Sequence, residues 1–242
     1  VGWDSHNYIE MTVDRDGVLH LAAKMHNDEV RYWRSSGPGD DCALVREPGM
    51  VGDRESRLVT YPRFTPVADG TLLFDYRHGS SGNGVQVYNL YHPDLRRWQR
   101  LLDRPLIDGQ GERNAYIIGP VQGPDHRWHM AWMWRRTPDV LTNSIVSYAV
   151  SENLVDWTTS GGEPMTLPIT YDTCEAVDPS GESTGLHNGR LRVGFDPKGG
   201  VVLSYHKYDA DGHSQVDNAT PDGNGEWSIV HATHWTLGYR WG

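Results

Sequence analysis

The sequence predicts an all-β protein, a β-propeller of four-stranded antiparallel blades, on three observations. No stretch keeps apolar residues at i, i+3, i+4 and i+7 over three turns, whereas short alternating runs bounded by Gly, Asp and Pro recur, as half-buried strands require. A hairpin phrase returns along the chain. The later returns are followed by a third strand and a turn-rich run closing on a Trp, and four-stranded units repeated in this way read as blades. A β-sandwich of similar strand count is the competing architecture, because it too carries turn signals at short intervals.

The first hairpin joins residues 8–13 to 18–23 across a turn that starts at Asp14 and ends at Gly17. The second joins 63–67 to 71–76 at Asp69-Gly70, the third 116–121 to 128–134 near Asp125, and the fourth 191–195 to 201–205 at Gly199-Gly200. The closing runs are 91–98, 151–157 and 219–227, ending on Trp98, Trp157 and Trp227. Their separation exceeds the roughly 40 to 50 residues of a compact blade. The excess is expected in long loops, 135–142 and 163–185, where function commonly resides.

The 242 residues carry 22 Lys plus Arg against 32 Asp plus Glu, a net charge of −10. That balance excludes a general affinity for nucleic-acid phosphates and leaves any anionic ligand to local Arg residues. No apolar run approaches the roughly 20 residues of a membrane span. Ten Trp and twelve Tyr against three Phe favour rings with one wet polar edge, as sugar-binding surfaces need. Cys42 and Cys174 lie far apart and form neither a disulfide framework nor a zinc ribbon. The chain opens on Val1 and closes on Tyr239-Arg240-Trp241-Gly242, so residues 1–242 are read as a single propeller domain and as a fragment of a longer one.

Residues equidistant from a hairpin turn face each other across its strands, which gives a coordinate for the far rim. About the first turn it matches His6 with His26, about Asp69 Tyr61 with Arg77, and about Lys198 Arg190 with His206. About Asp125 it brings Tyr116 and Arg135 to similar distances, with Asn114 two residues further out. Radial stacking is expected to gather His6, His26, Tyr61, Arg77, Asn114, Arg135 and His206 on one face, with His187 as a further rim residue contacting sugar.

Two Arg, a Tyr and His residues without a paired carboxylate suit proton abstraction beside a carboxylate, the β-elimination of a uronic acid. A guanidinium on the uronate carboxylate, with Arg77 the first candidate, stabilises charge developing at C5. A base takes the C5 proton and an acid protonates the departing O4, and Tyr61 and His6 fill these roles in some order. Arg77 would favour a Tyr61 phenolate, and imidazole titrates near neutrality without special help. His26 orients the uronate or tunes His6, and Arg135 grips a second anionic or hydroxyl group.

Tyr61-Pro62-Arg63-Phe64, Tyr76-Arg77-His78-Gly79-Ser80-Ser81-Gly82-Asn83-Gly84, Asn114-Ala115-Tyr116, Trp132-Met133-Trp134-Arg135 and Tyr205-His206-Lys207-Tyr208-Asp209 together resemble the BNR-repeat family that contains the ulvan lyases and rhamnose-glucuronate lyases. The resemblance covers nearly the whole chain. It implies a seven-bladed propeller of which this chain is a part, and a catalytic set of a His pair, a Tyr and an Arg, matched here by His6, His26, Tyr61 and Arg77. It implies an acidic polysaccharide substrate, a monomer, and a secreted or periplasmic location. No cofactor is expected for catalysis. Several members hold a structural metal, zinc or calcium; Cys174, His187 and His206 supply suitable zinc ligand atoms, but their spacing has no motif value.

Two other functions compete. A sialidase-like or other propeller glycoside hydrolase would use Arg77 and Arg135 on a substrate carboxylate and draw on Asp28, Asp53, Glu55 or Glu175. The degenerate Asp-box run 151–157 lends it support. A non-catalytic carbohydrate-binding propeller would stack sugars on Trp33, Trp134 and Tyr208.

Overall fold

The computed structural model describes residues 4, 6–40, 43–47, 50–51 and 56–239, with the Asp69 side chain excepted. Cys42, Asp53 and Glu55 lie outside the described residues, as do Val1 and Arg240-Trp241-Gly242. The chain is all-β, of the propeller class, and built from antiparallel sheets joined by short turns.

In chain order the strands are β1 (Ile9–Val13), β2 (Leu19–Ala23), β3 (His26–Asp28), β4 (Tyr32–Ser35) and β5 (Leu44–Glu47). Next come β6 (Val59–Pro66), β7 (Leu72–Ser80), β8 (Asn83–His92), β9 (Arg97–Arg100) and β10 (Ile107–Asp108). They are followed by β11 (Asn114–Gln122), β12 (Trp128–Arg135), β13 (Asn143–Ser151), β14 (Trp157–Thr158) and β15 (Glu175–Asp178). The last four are β16 (Arg192–Phe195), β17 (Val201–Tyr208), β18 (Ser214–Pro221) and β19 (Trp227–His231). The sheets run β1-β2-β4-β5, β10-β8-β7-β6-β3 with β9 on β8, β11-β12-β13-β14 with β15 on β13, and β16-β17-β18-β19. Several strands were not foreseen, β3, β4, β5, β10 and β15 among them. β3 leaves its own blade to pair with β6, and β15 forms inside the expected long loop 163–185.

Four of the hairpin turns are opened by an aspartate. Asp14 Oδ1 accepts from the N–H groups of Asp16 and Val18, at 3.0 and 2.9 Å. Asp196, Asp209 and Asp222 accept in the same way from the residues two and four positions on. This side-chain turn replaces backbone partners that the reversing chain cannot supply. In two blades the aspartate does more. His20 joins Asp14 (3.1 Å) to Tyr32 Oη (2.7 Å), and His129 joins Asp125 (3.0 Å) to Tyr148 Oη (2.6 Å), so turn, second strand and third strand are tied through one buried imidazole.

The chain divides into two compact units, Val1–Ser80 with Gly84–Ile107, and Ser81–Asn83 with Asp108–Gly242. The core of the first packs Ala22, Met25 and Tyr32 with Phe64, Phe74, Tyr76 and Tyr91 around Trp98, which meets Tyr32 edge-on at 5.8 Å. The core of the second packs Ala131, Met133, Val146 and Tyr148 with Val201, Leu203, Tyr205 and Ala219. The closing Trp residues therefore serve blade packing: Trp157 is buried with its indole N–H on Leu154 O, and Trp227 donates to Glu175 at 2.8 Å. No helix among the described residues is long and apolar enough to cross a membrane.

Burial depresses the His20 pKa against the pull of Asp14. Asp125 sits at about 2: partial burial raises it, but hydrogen bonds from His129 and Arg127 outweigh that. Both groups bind fewer protons folded than unfolded, so stability must fall on acidification. Urea titrations should show unfolding free energy declining as pH drops below about 6.5, where unfolded His protonates, and again below about 3.9, where unfolded Asp does. Asp125→Asn should shrink the second decline and leave the first.

Candidate active site

The first unit assembles the four residues matched to the family's catalytic set. The β1–β2 ladder ends at Ile9 opposite Ala23, and beyond it His26 lies in β3, registered with Thr60, while His6 precedes β1. The two imidazole rings stack 4.1 Å apart with an interplanar angle of 18°. Tyr61 Oη lies 3.0 Å from His6 Nε2, and the Arg77 guanidinium lies 5.1 Å from the Tyr61 ring centre. All four thus lie within one side-chain neighbourhood.

The matching of Tyr61 with Arg77 by turn symmetry needs correction in detail. Arg77 is registered with Thr60, and the β6–β7 ladder shifts between Thr60 and Arg63. A bulge there puts Tyr61 at φ 59°, in the left-handed region that a bulky L-residue adopts only when its surroundings impose it. The surroundings are identifiable. Tyr8 Oη donates to Pro62 O at 3.2 Å, and Arg63 grips the buried Asp75 with Nε–Oδ2 3.0 Å and Nη2–Oδ1 2.6 Å. Held on both sides, the bulge turns the phenol toward His6 at a strain of about 1–3 kcal/mol.

Three further residues complete the constellation without having been singled out by sequence. Asp4 accepts from His6 Nδ1 at 2.5 Å through Oδ1 and from His26 Nδ1 through Oδ2. The His6 backbone N–H and imidazole, with His26 adding to them, hold the Asp4 carboxyl far below the usual carboxylate range. Asn27, at φ 56°, accepts from Thr60 Oγ1 at 3.1 Å and from Arg77 Nη2 at 3.2 Å. Asn in this conformation beside a turn would have been the usable signal.

Arg77 is the unusual member. It is 3% exposed, and its Nε and Nη1 have no hydrogen-bond partner among the described residues. Among the described residues no carboxylate pairs with it. Among the described residues its hydrogen bond is to Asn27.

The second unit holds the other predicted residues. Asn114 is 1% exposed and is registered with Arg135; its Oδ1 accepts from Gly82 N at 2.5 Å, so its amide serves the turn. Gly82 has φ 81°, and a Cβ there would lie 2.4 Å from Arg136 O, so only Gly fits. Tyr116 is registered with Met133, yet Arg135 crosses to lie 5.0 Å from the Tyr116 ring centre, with its other N–H groups on the carbonyls of Pro138 and Asp139. His187 and His206 are partly buried and their pKa values are lowered, by desolvation first and then by Arg190. His206 also meets Trp235 edge-on at 5.9 Å.

Cys174 does not join His187 and His206 as a zinc shell. Its sulfur is engaged by Trp134 Nε1 and Ser147 Oγ at 3.3 Å and faces Tyr171 O. The described residues that bring ligand-type atoms within 4.8 Å are Asp4 with His6 and His26, and Asp209 with Asp211 and His213. Both Asp4 oxygens are taken by imidazoles, and Asp209 is taken by its own turn and by Gln215 Nε2. In both sets the carboxylate oxygens already carry hydrogen bonds, which a metal would have to displace. Trp134, proposed as a sugar platform, is fully buried.

A family model described as a BNR repeat-containing family member matches residues 2–235. The chain belongs to that family. It is 28% identical over 224 residues to an ulvan lyase, long isoform, of Alteromonas sp., covering 73% of this chain and 22% of that protein. It is 36% identical over 156 residues to an ulvan lyase, long isoform, of Glaciecola sp. (strain KUL10), covering 60% and 15%. A solved PL25 ulvan lyase bound to -[GlcA(1-4)Rha3S]- superimposes with a TM-score of 0.72 at 14% identity, covering 93% of this chain and 57% of that one. This BNR chain spans 14% to 32% of the length of the curated relatives it matches.

Burying an uncompensated guanidinium costs stability. Arg77→Met, which keeps the bulk and removes the charge, should therefore raise the unfolding free energy by roughly 1 kcal/mol or more in urea. Asn27→Ala should lower it by about 1–3 kcal/mol, because Thr60 and Arg77 lose their shared acceptor.

Proposed function

We propose that this chain carries the catalytic centre of a polysaccharide lyase that cleaves a uronate-containing glycan of the ulvan type by β-elimination. The observation that supports this most is Arg77: a buried guanidinium whose Nε and Nη1 have no partner among the described residues, beside a phenol and an imidazole. A substrate carboxylate drawn to this guanidinium would be held by charge-assisted hydrogen bonds, and the same contact stabilises the enolate as C5 loses its proton. The ulvan lyases among its relatives and the glucuronate unit bound in the solved neighbour support the substrate class.

The Tyr61–His6 hydrogen bond gives an order to the proton steps. Tyr61 passes its phenolic proton to His6 Nε2 and takes the C5 proton. The C5–H electron pair forms the C4=C5 double bond, and the C4–O4 bond breaks. Protonated His6 then delivers its proton to O4, which restores neutral imidazole and phenol. Each positioned group contributes roughly 10²- to 10⁴-fold. In the second unit, Arg135, His187 and His206 serve as polysaccharide contacts.

The hydrolase reading needs a pair of acidic residues flanking the bond. Among the described candidates, Glu175 is occupied by Ser160 and Trp227, and Asp28 by Arg31 at 3.4 Å. Incubation with ulvan or another rhamnose-glucuronate glycan should yield products with the ultraviolet absorbance of an unsaturated uronate and the mass of an elimination fragment. Tyr61→Phe and His6→Ala should each lower kcat by about 10²-fold or more, with Asp28→Asn near wild type. Products carrying an added water and no double bond would overturn the lyase reading.

A further inference from the structure

We propose that Asp4 is a positioning residue shared by two imidazoles, fixing both His6 and His26 as Nδ1–H tautomers. The inference rests on the lyase reading only for its kinetic consequence. Each oxygen of the one carboxylate accepts from a different ring, and the rings lie nearly parallel, 4.1 Å apart. Such a clamp can be made only by an ionised carboxylate, since a carboxamide or a protonated acid offers one acceptor atom and one donor. The His6 backbone N–H also donates to Asp4 Oδ1 at 3.0 Å, so the carboxylate is itself fixed in direction.

The tautomer decides what the far side of each ring can do. With Nδ1 carrying the proton, His6 Nε2 is a bare acceptor, 3.0 Å from the Tyr61 hydroxyl, as removal of the phenolic proton requires. In the other tautomer Nε2–H would donate to Tyr61 and could not take that proton. Protonation of His6 places positive charge beside the same carboxylate, which stabilises the imidazolium as it forms. His26, stacked on His6 and tied to the second oxygen, turns its own Nε2 away from Asp4 as an acceptor for a sugar hydroxyl. Asp4 touches no substrate atom in this account; it acts through the two rings.

Asp4→Asn is the sharpest test because size is kept and one acceptor becomes a donor. Histidine-selective ¹⁵N NMR of the ligand-free chain should show both rings as Nδ1–H tautomers in the wild type and one of them as Nε2–H in Asp4→Asn, with the melting temperature little changed. On a uronate glycan, Asp4→Asn should lose roughly 10²- to 10⁴-fold in kcat while KM stays within about threefold, and Asp4→Glu, which retains the carboxylate, should recover part of the loss. Unchanged tautomers in Asp4→Asn, or a kcat within about twofold of wild type, would overturn the proposal. A tautomer change in a chain whose wild type cleaves no uronate glycan would support the clamp and remove the lyase reading, so the two fail separately.

Discussion

The candidate site is organised around a positive charge that no carboxylate among the described residues neutralises. Three other Arg residues of the first unit have an acid: Arg63 holds Asp75, Arg34 holds Glu47 and Arg15 holds Asp94. Arg77 is as deeply placed as any of them and is given one amide oxygen and the face of a tyrosine. Desolvating a charge without repaying it is a loss that folding alone has no reason to accept. The loss is recovered when an anion arrives, and in a dry site a guanidinium binds and stabilises developing charge more strongly than it would in water.

The rest of the constellation follows from keeping that charge and its neighbours in place. The β-bulge at Tyr61 diverts the phenol out of the ladder, and Tyr8 and the Arg63–Asp75 pair hold the diversion on either side. A second left-handed residue, Asn27, sits where β3 crosses to β6, and there its side chain reaches both Thr60 and Arg77. Strain at positions 27 and 61 is thus concentrated where the proposed reacting groups converge.

Much of this scaffold was legible in the sequence because its causes are local. Turn aspartates, alternation and the closing Trp residues each depend on a few neighbouring positions, and they located the blades to within a few residues. Mirror symmetry about a turn reached past the end of the β1–β2 ladder: it matched His6 with His26, whose rings stack. It slipped by one at Tyr61, since a bulge leaves no mark that alternation can show. Asp4 stayed invisible because it lies outside any strand and its role depends on two rings brought together only by folding. Cys174, His187 and His206 illustrate the opposite error, in which suitable atom types suggested a shell that the register keeps apart.

The central claim, that Arg77 is held open for a substrate carboxylate, is tested most directly by calorimetric binding to the turnover-impaired Tyr61→Phe chain. A uronate oligosaccharide should bind at least about tenfold more tightly than its carboxyl-reduced counterpart, and adding Arg77→Met should abolish that difference. Equal affinities for the acid and the reduced sugar with Arg77 intact would contradict the account.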